Sequence, residues 1–222
     1  MISHVNQTEW ENKYMKGYGN QYVESHIVRI YFHIIKRYYG LTSGRLFDWG
    51  MGNGINAEFF KQHGFNVFGC DVSAKAIENA LARMPELASA FSVINACDPS
   101  LGMPNMTFDL ILANESIYYL DDNKVKQLLT CIRDRMSVNS LALVTWISKD
   151  HYYFNNSSFV GEGLYKTEIS GRQNETFMIN FKSDNEAIAL LSNFFHISHS
   201  GYYDCLIDEG SRMHGWYLLS LK

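Results

Sequence analysis

Apolar positions lay out the elements. From Tyr22 to Tyr39, the residues Val23, Ile27, Ile30, Tyr31, Ile34 and Tyr38 recur at the 3.6-residue period. This predicts an amphipathic helix, closed at its C-terminus by Gly40. Residues 1–20 are polar with interleaved aromatics. Trp10 and Tyr14, four apart, would share a helix face, and Gly17 and Gly19 then interrupt the pattern. Short apolar runs follow at 45–48, 66–70, 91–95, 108–113 and 140–147, each reading as a strand. Helical segments separate them. Residues 55–63 form one. Ser73 caps a second, with Ile77, Ala80, Leu81 and Met84 on its apolar face. Asp121 or Asp122 caps a third, with Val125, Leu128, Leu129, Ile132 and Met136 on one face. Strands alternating with helices predict a mostly parallel sheet covered on both faces.

After Ser148 the texture changes. Residues 148–174 are rich in Asn, Ser, Gly, Tyr and Phe without a clear period, and read as an insertion holding a hairpin or loop. A strand at 176–181 precedes a capping box, Ser183 with Glu186, and a helix carrying Ala187, Leu190, Leu191 and Phe194. Two last strands, at 195–203 and 215–221, are joined by the polar segment 208–214. No internal repeat or long linker divides the chain, so its 222 residues are expected to form one domain.

Composition narrows the function. The formal charge is −4, and no basic block or Arg-rich stripe is present. Nucleic-acid binders draw most of their affinity from neutralising phosphates, so no nucleic-acid partner is expected. No apolar run reaches membrane-spanning length and no signal peptide is visible, so no membrane partner is expected either. Cys70, Cys97, Cys131 and Cys205 form no C-x-x-C pair, a usage that suits the reducing cytoplasm. An aromatic content of 14% suits an aromatic-lined pocket.

The chemistry concentrates in Asp48-Trp49-Gly50-Met51-Gly52-Asn53-Gly54. Strand, glycine turn and helix bring backbone close to a nucleotide-like ligand. A dinucleotide fingerprint requires a third small residue where Ile55 stands, and no Gly-Lys-Ser/Thr follows, so neither NAD nor a Walker-type triphosphate fits. The pattern is D-x-G-x-G-x-G. A carboxylate at the mouth of such a loop repels pyrophosphate and attracts an ammonium or sulfonium; S-adenosylmethionine carries both. Asp71 ends the second strand, about twenty residues past the glycines, where an acid accepts from ribose hydroxyls. Asp98 ends the third strand and could accept from the adenine amino group, although Asp-Pro also opens ordinary turns.

With Phe108-Asp109-Leu110-Ile111-Leu112-Ala113-Asn114, these residues resemble the class I S-adenosylmethionine-dependent methyltransferases over roughly residues 44–147. The resemblance implies a Rossmann-like, doubly wound α/β fold: a mostly parallel seven-stranded sheet with an antiparallel C-terminal strand and helices on both faces. It implies that Asp48, Gly50, Met51, Gly52 and Gly54 hold the methionine part of the cofactor. Asp71 would hold the ribose, Val72 would pack on adenine, and Asn114 would lie beside the transferred methyl. The chain then divides into an N-terminal helical cap (1–43), a cofactor-binding core (44–147), a substrate-facing insertion (148–182) and a C-terminal helix with strands (183–222). The segment Asn114-Glu115-Ser116-Ile117 departs from the Asp/Asn-Pro-Pro-Tyr of base-methylating relatives and leaves small-molecule, sugar or peptide acceptors open.

Glu115 follows the fourth strand on the ligand-binding side and is the first candidate for a base or acceptor-orienting group. His151, just past the fifth strand, is the second. Tyr118, Tyr119, Tyr152 and Tyr153 are candidate pocket walls. The other histidines, including His26 and His214, show no metal-ligand spacing, so no metal is expected. The reading is a cytoplasmic methyltransferase acting on a small molecule, with O-transfer slightly ahead of N-transfer. Its alternatives are a non-catalytic S-adenosyl-binding or scaffolding module and a NAD-dependent oxidoreductase, against which Ile55 and Asp48 speak.

Overall fold

A computed structural model describes residues 2–95, 98, 102–169, 175–205 and 210–222. Its strands are β1 (Gly44–Trp49), β2 (Phe65–Asp71), β3 (Phe91–Val93), β4 (Phe108–Ala113) and β5 (Met136–Ile147), then β6 (Ser157–Gly161), β7 (Leu164–Ile169), β8 (Glu175–Ile179), β9 (His196–Tyr203) and β10 (His214–Ser220). Its helices are α1 (Ile2–Met15), α2 (Ser25–Ile30), α3 (Lys36–Tyr39), α4 (Ile55–Gln62), α5 (Ala74–Arg83), α6 (Asp122–Asp134) and α7 (Asp184–Leu191). A seven-stranded sheet runs β3-β2-β1-β4-β5-β10-β9. Strands β1 to β5 pair in parallel, and β10 is antiparallel to both its neighbours. This is the expected doubly wound fold with its antiparallel C-terminal strand.

Alternation along the strands builds two cores. Phe47 and Trp49 of β1, Ile111 and Ala113 of β4, and Ala142 and Val144 of β5 pack into one cluster with α6 and α7. Leu46, Leu110, Leu112, Leu141 and Leu143 face the other way and meet Ile27, Tyr31, Phe60 and Ile77. Both faces being covered, these strands are apolar almost throughout.

Several boundaries differ from the sequence reading. The helix expected over 22–39 is interrupted by a π turn, Tyr31–Ile35. The wider turn rotates the apolar face, so Ile35 is buried and Tyr38 is exposed, against the simple 3.6 period. Met136 starts β5 rather than ending α6, and β3 stops at Val93. Residues 157–179 supply more than one hairpin: β6, β7 and β8 form a separate antiparallel sheet. Cys97 and part of the 208–214 connection lie outside the described residues. The Ser73 and Asp121 caps, the Ser183–Glu186 capping box and the left-handed Gly40 are as expected.

α1 crosses from the small sheet to the large one. The Asn6 amide donates to the carbonyls of Tyr119 (2.9 Å) and Met178 (2.8 Å) and accepts from the Met178 amide (2.8 Å). Gln7 donates to the Val72 carbonyl, and Glu11 accepts from Ser73 Oγ and the Lys75 amide at the start of α5. Asn6 is buried, so Asn6→Ala leaves a backbone N–H and two carbonyls of the interior short of partners. It should lower stability by about 1–3 kcal/mol in urea denaturation; an unmoved midpoint would show that α1 is not clamped there.

Candidate functional site

One cavity of about 580 Å³ opens where the carboxyl ends of the parallel strands meet α1 and the small sheet. This is where open α/β sheets bind ligands. At one end the chain turns sharply out of β1. The Gly50 and Met51 amides both donate to the Cys70 carbonyl. Gly52 sits at φ 57°, and a Cβ there would meet the Tyr14 hydroxyl at 2.5 Å. Only glycine accepts both the left-handed backbone and that neighbour. The Gly52 amide donates to Asp71 Oδ2 (2.9 Å), and the Ser73 amide to Asp71 Oδ1 (2.9 Å).

The carboxyls here are strongly perturbed. Asp48 is buried, and its Oδ2 has no hydrogen-bond partner among the described residues. Desolvation, then the neighbouring Asp71 charge, pushes it up to about 7. Desolvation pushes Asp71 up to about 6 against the backbone donors that favour its charged form.

At the other end stand Glu24, His26, Asn114, Glu115, Tyr203 and His214. Glu115 lies between β4 and a short 3-10 turn, with φ 51°, a left-handed conformation rare outside glycine. Its amide donates to Thr145 Oγ1 (2.6 Å), and its Oε1 accepts from the Tyr203 hydroxyl (2.6 Å). The His26 ring stacks on Tyr203 at 3.8 Å, and Tyr203 lies parallel to His214. Burial raises the pKa of both Glu115 and Glu24 and lowers that of His26. Trp10, Tyr14, Tyr18, Tyr119, Tyr153 and Phe177 provide aromatic walls.

Of the residues singled out from sequence, the fold brings Gly50, Met51, Gly52, Asp71, Val72, Asn114, Glu115 and His151 to this cavity. Asp48 and Gly54 stand behind the loop. Gly54 opens α4, with Ala80 of α5 close against it. Asp98 does not line the cavity; its amide bonds the Asn95 carbonyl. His151 is buried, not a surface loop residue. Its Nδ1 accepts from the Tyr153 amide (3.1 Å), and burial, with His214 beside it, pushes it down to about 3. It is neutral near pH 7 and offers the cavity an N–H donor. Tyr118, Tyr119 and Tyr153 line the cavity; Tyr152 stacks on His151.

Residues 46–138 match the family model described as "Methyltransferase domain". Over those residues the chain resembles a methyltransferase domain. The sequence matches none of the curated proteins. Among solved structures, the chain is similar to an S-adenosylmethionine-dependent methyltransferase from Clostridium acetobutylicum. Identity is 13%, coverage 98% of each chain, and the TM-score 0.67. A second such enzyme, from Methanosarcina mazei, is 16% identical over 85% of this chain and 97% of its own, at TM-score 0.68. The 1,6-didemethyltoxoflavin-N1-methyltransferase of Burkholderia thailandensis, with 1,6-didemethyltoxoflavin and S-adenosylhomocysteine bound, is 13% identical over 99% and 88%, at TM-score 0.69. At such identities the likeness to these structures is one of fold.

Sequence reading missed Glu24, His26, Tyr203 and His214. They come from the start of α2 and from β9 and β10, far from the glycine motif, and no local spacing links them.

The raised aspartates give the protein an unusual pH dependence. Unfolded, such carboxyls ionise near pH 4; folded, Asp48 and Asp71 hold protons up to about 7 and about 6. Over that interval the folded state binds more protons, so ligand-free stability falls as pH rises from about 4 to 7. Asp48→Asn should flatten the slope and stabilise the ligand-free protein at pH 8. Urea denaturation across pH checks this; an unchanged slope would mean that Asp48 is ionised in the fold.

Proposed function

We propose that the protein transfers the methyl group of S-adenosylmethionine to a small-molecule acceptor, with a hydroxyl oxygen as the favoured target. The observation that carries this reading is the single cavity: glycine loop and Asp71 at one end, Glu115 at the other. Its volume suits a small ligand pair, since such pockets run about 300–1,000 Å³. Its aromatic walls suit a flat acceptor. The Burkholderia enzyme, which binds 1,6-didemethyltoxoflavin beside S-adenosylhomocysteine, supports the small-molecule class.

In this reading the Gly50–Gly52 backbone and Met51 hold the methionine portion, Asp71 accepts from the ribose hydroxyls, and Val72 packs on adenine. Asp48 acts from behind the loop, its charge favouring the cofactor's ammonium. Asn114 lies near the methyl. Residues 1–43 cap the site, 148–182 face the substrate, and 183–222 complete the fold. Glu115 serves the acceptor hydroxyl, and His151 is a wall and hydrogen-bond donor rather than a base. The methyl leaves a sulfonium in line with the attacking oxygen, so alignment supplies much of the acceleration. A cytoplasmic site suits the free thiols of Cys70 and Cys205. No nucleic-acid or membrane partner is proposed; among the described residues no helix is long and apolar enough to cross a membrane.

Calorimetry should show binding of S-adenosylhomocysteine and none of NAD; the reverse result would overturn the reading. Asp71→Ala should weaken that binding by about 1.5–3 kcal/mol, roughly tenfold to a hundredfold in Kd. Glu115→Gln should leave cofactor affinity intact and lower turnover roughly 10²–10⁴-fold on a confirmed acceptor. Near-normal turnover would remove Glu115 from the chemistry.

A further inference from the structure

Three donors from two distant segments converge on the acceptor end of the cavity. They are Glu24, just before α2, His26 in its first turn, and Glu115 after β4. Their ligand atoms all lie within 4.8 Å of one another. Each side chain is held by its other polar atom. Glu24 Oε1 accepts from Asn20 (3.3 Å), His26 Nε2 faces Asn114 Oδ1 (2.9 Å), and Glu115 Oε1 accepts from Tyr203 (2.6 Å). Asn114 Oδ1 can only accept, so it fixes the proton of the neutral ring on Nε2 and leaves the Nδ1 lone pair turned inward. That lone pair meets Glu24 Oε2 across 3.4 Å. Glu24 Oε2 is shielded from solvent and has no hydrogen-bond partner among the described residues. With Glu115 alongside, the three side chains turn their remaining donor atoms toward one point that a proton or a metal cation would fill.

We propose that Glu24, His26 and Glu115 bind a divalent first-row metal ion, zinc or manganese in character, with an open position for the acceptor hydroxyl. Mixed carboxylate and imidazole donors suit such ions, and three protein ligands with one open position is the pattern of a catalytic site. Spacing separates a metal from an ammonium. Ligands about 2.1 Å from a tetrahedral ion stand about 3.4 Å apart, whereas acceptors about 2.9 Å from an ammonium nitrogen stand about 4.7 Å apart. The Glu24–His26 separation of 3.4 Å is that of two ligands on one ion, and the separations to Glu115 lie within 4.8 Å. Asn114 and Tyr203 are positioning residues, orienting ligands as outer-shell hydrogen bonds do in metal sites.

The role rests on the methyl transfer proposed above. The ion lowers the pKa of the bound hydroxyl, whose proton leaves to solvent. The oxygen's electron pair then forms the C–O bond while the sulfonium C–S bond breaks. Its pair stays on sulfur, giving S-adenosylhomocysteine, the methyl ether and one released proton. Glu115 thus serves the acceptor through the ion.

The test uses the full chain, stripped with a chelator and titrated with Zn²⁺ and Mn²⁺ in calorimetry, and with Co²⁺ followed by its visible absorption. One ion per chain is expected. Glu24→Gln and His26→Asn should each weaken it at least tenfold, and Asn114→Ala about 10- to 100-fold, with melting curves confirming that each variant folds. S-adenosylhomocysteine should still bind Glu24→Gln normally. No stoichiometric ion in the wild type, or equal affinity in Glu24→Gln and His26→Asn, overturns the site. So does an amine acceptor held by the stripped protein through Glu24, or undiminished turnover after stripping. Metal binding without S-adenosylhomocysteine binding would instead overturn the methyl-transfer reading and leave the site standing.

Discussion

The bond from the Gly52 amide to Asp71 ties the loop after β1 to the tip of β2, and the cavity depends on that tie. It forms only because residue 52 takes a left-handed conformation without a Cβ. The space a Cβ would need belongs to the Tyr14 hydroxyl, so α1 is fitted to the same glycine. α1 is then fastened beyond Asp71 by Gln7 on Val72 and Glu11 on Ser73. Loop, strand tip and covering helix are therefore one unit: a side chain at 52 would push α1 away, break the tie to Asp71 and open the cavity.

What the sequence made legible is what neighbouring residues determine. The glycine motif, Asp71, the caps at Ser73 and Asp121 and the capping box at Ser183 all act over a few residues. The alternating strands and helices follow from local periodicity. The losses came where distant contacts decide. The π turn at Tyr31–Ile35 turns Tyr31 onto Phe60 of α4 and Phe65 of β2, a packing no 3.6 period contains. The small sheet is hard to read because β6 is mostly exposed and β7 buries only Leu164 and Thr167 fully.

The end of the cavity around Glu115 shows the same limit more sharply. Glu115 was legible because it directly follows an apolar strand. Glu24 and His26 sit at the start of a helix whose apolar pattern says only that it packs. Their meeting with Glu115 is made by the path of β4 past α2, and Tyr203 and His214 join from strands near the end of the chain. His151, a candidate from its place after β5, is carried inward at the turn Tyr152–Asn156. Chemistry assembled from four segments leaves no spacing to read.

Charge explains why the cavity has two such ends. Asp48 and Asp71 bury two carboxyls beside the glycine loop, and Glu24 and Glu115 place two half-buried ones at the far side, where the Arg212 charge partly favours ionised Glu115. Each pair is costly to ionise without a cation, and in a medium of low dielectric each acts strongly on its partner. In the proposed function the cofactor would bring an ammonium and a sulfonium to the first pair. A second positive charge left bare near the sulfonium would oppose cofactor binding. A divalent ion held by two carboxylates and a neutral imidazole avoids this, because the assembly carries no net charge. Once the acceptor loses its proton, the assembly becomes singly negative in the same cavity as the sulfonium. Electrostatic attraction then appears on deprotonation of the acceptor, when the reaction requires it, rather than when the cofactor binds.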